Sequence, residues 1–269
     1  MQGGQNMIKL IITDMDGTLL HDDKSMPAGT FDLIHALHAR GITFAAGSGR
    51  QYASLKDSFA PCADLMYFIA ENGAMSADGK NDTILDQHSL EHEDVHRFLK
   101  VCAQIPQATV VLCGVRSAWY TSEDPRDLRN IPPYYYSPPR VDVLSAVDDE
   151  ILKIAILHHG GTAEHIYPLF QPYADDFSIA VSAFEWMDIM RKGVHKGIGV
   201  RKLQEHLGIS KEQTMIFGDF MNDYEMLQEA RFSVAMKNAL PQIKAICREE
   251  TEYTNEEDGV IRWIRKILK

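Results

Sequence analysis

"IITDMDGTLL", residues 11–20, ends an apolar run on two aspartates, Asp14 and Asp16, and follows them at once with Gly17-Thr18. The run belongs to "MIKLIIT" (7–13), which has the continuous apolar character of a strand buried on both faces. Behind it, "PAGTFDLIHALHARG" (27–41) places Phe31, Ile34 and Leu37 on one helical stripe, with Pro27 expected in the first turn and Gly41 as the stop. Strand followed by helix is a βα unit, so the two aspartates sit where a parallel strand hands over to its crossover.

Working outward, "ITFAAGSGR" (42–50) and "MYFIAENGA" (66–74) are two more short apolar runs that end in Gly-rich turns. Near the other end of the chain the alternation returns. "GVHKGIGVRKLQEHLG" (193–208) reads as a helix, "QTMIFG" as a strand, "NDYEMLQEA" as a helix, "FSVAM" as a strand and "VIRWIRKIL" as a closing helix. Between them lie the strand-like "ATVVLCG" (108–114) and "ILKIAIL" (151–157), separated by the Pro- and Tyr-rich "IPPYYYSPP" (131–139). The expected architecture is α/β: a Rossmann-like, doubly wound parallel sheet core from residues 1–84 and 189–269, interrupted by an inserted α+β domain over 85–188.

Composition narrows the function. With 27 basic against 38 acidic residues in 269, the formal charge is −11, which disfavours nucleic acid and anionic membranes as partners. No apolar run approaches the roughly 18 residues of a membrane helix, and "MQGGQN" reads as a short unstructured leader lacking a signal-peptide pattern. A cytoplasmic protein is expected. Cys62, Cys102, Cys113 and Cys247 are scattered without CxxC spacing and read as free thiols.

In open α/β sheets, ligands bind beyond the carboxyl ends of the strands, and Asp14 with Asp16, Ser48, Asn72 and Asp219 all fall at such ends. Carboxylates gathered there repel one another unless a cation lies among them, and all-oxygen donors suit Mg²⁺. Lys196 begins a helix, where the dipole disfavours a cation unless an anion is bound. Ser48 with the Ser48-Gly49 amides could cradle a phosphoryl oxygen at a helix start. Metal, lysine and amides together describe a phosphate site.

These motifs, "DMDGTLL", "GSGR", "ENGA", Lys196-Gly197, "GDFMND" (218–223), "VAMKNA" (234–239) and "NEEDGV" (255–260), stand in the order found in the haloacid dehalogenase (HAD) superfamily. The chain resembles its Cof-type sugar-phosphatase branch, which carries a large α/β cap between the second and third motifs. That resemblance implies a Mg²⁺-dependent phosphatase of small phosphorylated metabolites, sugar phosphates among them. It implies Asp14 as nucleophile, forming an aspartyl-phosphate, and Asp16 as general acid and base. It further implies Asp14, the Asp16 carbonyl and Asp219 at the metal with Asp223 in support, and Ser48, Gly49, Lys196 and Asn222 on the phosphoryl group. The inserted cap would set specificity. A phosphotransferase or phosphomutase shares the first half of this chemistry, and a non-catalytic phosphate-binding module is the non-enzymatic alternative.

Other readings stay open from the residues alone. Arg50 could pair with an acid or touch substrate, and Asn72 could shape its turn or face the site. His158 and His159 follow a strand and project to opposite faces, so they are expected as loop histidines rather than as a shared metal site. Glu185, Trp186 or Asp188 could read substrate hydroxyls, and the tyrosines of "PPYYYSPP" could pack or stack on a ligand.

Overall fold

The computed structural model describes residues 8–132 and 134–268. The expected leader over residues 1–6 lies outside them. Five strands come first: β1 (Leu10–Thr13), β2 (Thr43–Gly47), β3 (Met66–Ala70), β4 (Met75–Asp78) and β5 (Thr83–Gln87). Next are β6 (Thr109–Gly114), β7 (Ala118–Tyr120), β8 (Ile151–Leu157), β9 (Phe177–Val181) and β10 (Trp186–Arg191), and last β11 (Thr214–Gly218), β12 (Phe232–Ala235) and β13 (Glu249–Glu250).

Two sheets result. The larger has the order β13-β12-β11-β1-β2-β3-β4-β5, and the run from β13 to β3 is parallel throughout. Leu10, Ile11, Ile12 and Thr13 are all 0% exposed, so β1 is covered on both faces, as its unbroken apolar run demands. Helices Thr30–Ala39 and Gly259–Ile267 pack together; Lys196–Leu207 packs with Tyr224–Gln228, which in turn meets Pro241–Ile246. The fold is α/β with a Rossmann-like core.

Four details depart from expectation. Pro27 precedes the first helix, which begins at Thr30 behind Gly29 in the left-handed conformation (φ 78°). Antiparallel pairing of β3 with β4 opens an edge extension that no apolar alternation announces. The stretch after Gly218 opens with a 3₁₀ turn, Met221–Asp223, before its short α-helix. The chain divides after Asp86 and again before His195, because β10 runs to Arg191 and pairs with β8 and β9, so a boundary at residue 188 would cut a strand.

The inserted unit, Gln87–Val194, is built on the antiparallel order β7-β6-β8-β10-β9. All seven residues of β8 are buried. On one sheet face Leu112, Ile154, Ile156, Met187 and Ile189 pack with Val95, Phe98 and Phe170. Val111, Ala155, Leu157 and Trp186 join Ile131 and Tyr135 in a second apolar cluster.

Candidate active site

The residues expected at the metal and the phosphoryl group all lie in the core unit, on the loops that leave β1, β2, β3 and β11 or at the start of the Lys196–Leu207 helix. Strand β1 lies between β11 and β2, at the point where the winding reverses, so its carboxyl end opens the crevice that such sheets reserve for ligands.

Asp14 extends β1 by one bond, its N–H donating to the Phe217 carbonyl at 3.1 Å. Lys196, 0% exposed, donates from Nζ to Asp14 Oδ1 at 2.6 Å and to Asp223 Oδ1 at 2.7 Å. A wholly buried ammonium is tolerated only with such partners, and here it has two. The second oxygen of Asp223 accepts the backbone N–H groups of Asp219 at 2.9 Å and Phe220 at 3.2 Å. Asp223 therefore orients the lysine with one oxygen and shapes the Asp219 loop with the other.

Asp219 is held from the opposite side: Thr18 Oγ1 donates to its Oδ1 at 2.6 Å. Gly17 has φ 79°, and a Cβ there would stand 2.5 Å from Asp219 Oδ2, so glycine is required by both conformation and space. Asn238 Nδ2 donates to the Gly17 carbonyl at 2.7 Å, while Asn255 Nδ2 donates to the Leu20 carbonyl at 3.1 Å. The distant "VAMKNA" and "NEEDGV" segments thus brace the loop that bears the first aspartates. In the sequence Thr18, Asn238 and Asn255 carry no signal beyond their membership of "DMDGTLL", "VAMKNA" and "NEEDGV".

Three carboxylates, Asp14, Asp219 and Asp223, each bring an oxygen within 4.8 Å of the others. Burial, then repulsion from Asp223, pushes the Asp14 carboxyl well above its usual range against the pull of Lys196. Burial likewise raises Asp219 to about 6, the Thr18 hydrogen bond opposing and Asp223 adding to the rise. This is excess negative charge in a buried, oxygen-only donor set, with one lysine to offset it. A hard divalent cation such as Mg²⁺ fits these residues.

Asp16 stands apart from that group. Its carboxylate accepts from Arg50 Nε at 2.8 Å and Nη2 at 2.6 Å, and Lys24 Nζ lies 2.9 Å from Oδ1. Burial alone would raise its pKa, but Arg50 and Lys24 together hold it below the ordinary value. Arg50 thus pairs with an acid. Its carboxylate is not one of the three that converge.

The Ser48 expectation needs correction. Its N–H donates to the Ile69 carbonyl at 2.8 Å, prolonging the β2–β3 ladder, and the next helix starts only at Tyr52. Ser48 consequently has no helix-start amide to give a phosphoryl oxygen; its hydroxyl accepts the Arg50 N–H at 3.2 Å. A Cβ on Gly49 would meet the Asn72 side chain at 3.0 Å, and Asn222 Nδ2 donates to Asn72 Oδ1 at 3.3 Å. Asn72 is left-handed (φ 53°) and so both shapes its turn and meets the exposed Asn222.

The inserted-unit candidates are engaged locally. Glu185 Oε1 lies 2.8 Å from His159 Nδ1, and Asp188 Oδ2 lies 3.7 Å from the buried Lys153 Nζ. Trp186 is buried against Tyr134 and Tyr135. His159 is no idle loop histidine, since its Nε2 also meets Asp127 Oδ1 at 2.7 Å.

Comparison with known proteins agrees with this architecture. The model for haloacid dehalogenase-like hydrolases matches residues 11–264. The 5-amino-6-(5-phospho-D-ribitylamino)uracil phosphatase YbjI of Escherichia coli K12 is 30% identical over 268 residues, 97% of each chain. The HMP-PP phosphatase of Yersinia pseudotuberculosis (strain IP32953) is 28% identical over 88% of this chain and 87% of its own. A crystal structure from Streptococcus mutans UA159 superposes with a TM-score of 0.84 at 27% identity, covering 97% of this chain and 99% of the other. With a family match from Ile11 to Ile264 and relatives aligned along nearly their whole length, the chain belongs to the haloacid dehalogenase-like hydrolases, among their phosphatases.

Proposed function

We propose that the chain hydrolyses small phosphorylated metabolites through an aspartyl-phosphate on Asp14, with Mg²⁺ as its metal. The observation that carries this reading is the buried Asp14–Lys196–Asp223 chain with Asp219 alongside: a carboxylate oriented by an ammonium at the end of the central strand.

In the first step an Asp14 oxygen attacks phosphorus in line; the P–O bond to the alcohol breaks and its electron pair leaves with the alkoxide, which takes a proton. In the second, water attacks the acyl phosphate, gives up a proton and releases inorganic phosphate with Asp14 regenerated. Asp16 is assigned both proton transfers. Held as a carboxylate by Arg50 and Lys24, it is in the form that accepts a proton from water; to donate to the alkoxide it must first be released from Arg50 and take up a proton, which the second step returns to it. Lys196, the Ser48 hydroxyl, the Gly49 backbone and Asn222 are assigned to the phosphoryl oxygens, where charge develops. Asp14, Asp219 and the Asp16 carbonyl would hold Mg²⁺, with Asp223 behind them; when bound, it supplies positive charge to the transferring group. The inserted unit is assigned the choice among substrates. The Escherichia coli relative is named for a phosphoribityl ester and the Yersinia relative for HMP-PP, which supports a small phosphorylated metabolite without choosing one.

The test is phosphate release from a panel of phosphorylated metabolites with Mg²⁺ or EDTA. We expect EDTA and Asp14→Asn each to abolish release, and Asp16→Asn to lower kcat by about 10²–10⁴-fold. Activity surviving in Asp14→Asn would overturn the assignment. Phosphate appearing on an added alcohol instead of in solution would make the chain a phosphotransferase.

A further inference from the structure

The helix His92–Cys102 of the inserted unit carries His92 and His96 one turn apart, on the same face. Their Nε2 atoms are 3.2 Å from each other and their ring centroids 4.3 Å, so the two nitrogens converge on one point rather than dispersing into solvent. At that distance one ring donates and the other accepts. A metal ion would take the shared proton's place, that proton moving to Nδ1 of the donor ring, so that both rings bind as the Nδ1–H tautomer with their Nε2 lone pairs facing the ion. The spacing suits this exchange: two nitrogens on one tetrahedral Zn²⁺, each bonded at about 2.0–2.1 Å, stand about 3.3 Å apart.

Both histidines line a cavity of about 200 Å³ together with Glu91, Asp149 and Glu150. Asp149 is already committed, accepting from the Arg116 and Ser117 N–H groups and the Trp119 indole. Glu91 and Glu150 are exposed and supply negative charge at the cavity. That charge, with Glu93 and Asp94 in the first helical turn, offsets the positive helix end that would otherwise oppose a cation. Among the described residues no third carboxylate, thiolate or imidazole completes a three-donor group here, so the remaining positions would go to water.

We propose that His92 and His96 form a second metal site, selective for a borderline transition ion such as Zn²⁺ or Ni²⁺ and chemically distinct from the oxygen-only carboxylate group of the core unit. Imidazole nitrogen favours the former ions and carboxylate oxygen Mg²⁺, so the two sites sort their metals by donor type.

The experiment is titration of the full chain with Zn²⁺ alone, in a buffer holding saturating Mg²⁺, read by calorimetry and by the His92 and His96 ring resonances. Wild type should bind Zn²⁺ with both rings shifted together. His92→Ala and His96→Ala should each weaken it by at least about tenfold, because each leaves a single ligand where a chelating pair stood. Asp219→Asn should leave it unchanged. Both substitutions are at positions outside the buried core, and circular dichroism of each variant checks the fold. Equal Zn²⁺ affinity in wild type and both histidine variants would overturn the site, as would loss of Zn²⁺ binding in Asp219→Asn or ring resonances that do not move.

Discussion

At the scale of single residues, Lys196 decides most. It is fully buried, and burial would lower its pKa, but Asp14 and Asp223 reverse that and keep it charged. Lys196→Met should therefore cost about 3–5 kcal/mol, since it strands two buried carboxylates without a counter-charge, and urea unfolding measures this directly. Asp14, Asp16, Lys196, Asp219 and Asp223 were legible as chemistry-bearing positions because carboxylates and a lysine at strand and helix ends are costly without a purpose. What side chains do to one another there was not legible. The Arg50 fork on Asp16 depends on a loop path, and the Ser48 N–H went to Ile69 because the β2–β3 ladder continues past the last apolar residue.

At the scale of elements, His159 ties three pieces of the inserted unit together: its own loop after β8, Asp127 on the short helix Asp127–Asn130, and Glu185 in the turn before β10. Burial opposes its charge, but the hydrogen bonds with Glu185 and Asp127 outweigh it and raise its pKa. Asp124 adds to the negative field around it. A raised folded pKa means that this bridge contributes fully below the unfolded value of about 6.5 and is lost as pH rises through the folded one. The stability difference between wild type and His159→Gln should accordingly shrink from pH 6 to pH 9 in urea titrations. Strand legibility followed burial. "ILKIAIL" shows its full extent in the sequence because all seven residues are buried, whereas β5 carries no such signal because Thr83 and Ile84 are exposed and its neighbours polar. The Asp127–His159–Glu185 bridge joins residues 26 and 32 positions apart, a distance over which no local pattern speaks.

At the scale of the whole molecule, the two units carry separate cores, and among the described residues no helix is long and apolar enough to cross a membrane. Mg²⁺ bound at the carboxylate group should slow amide exchange in β1 and β11 while leaving β6 and β8 unchanged, a contrast that hydrogen-exchange mass spectrometry reads peptide by peptide. The placement of β1 between β2 and β11 also sets a timetable for synthesis. Leu10 pairs with Thr214, and Asp14 meets Lys196, which lies 182 residues later. A ribosome that has just added Val194 has supplied every strand of the inserted sheet, yet β1 still lacks its neighbour on one side and Asp14 its counter-charge. Strand β1, made before the inserted unit, is thus completed after it, and until then the nascent chain carries an uncovered apolar strand edge for a chaperone to shield.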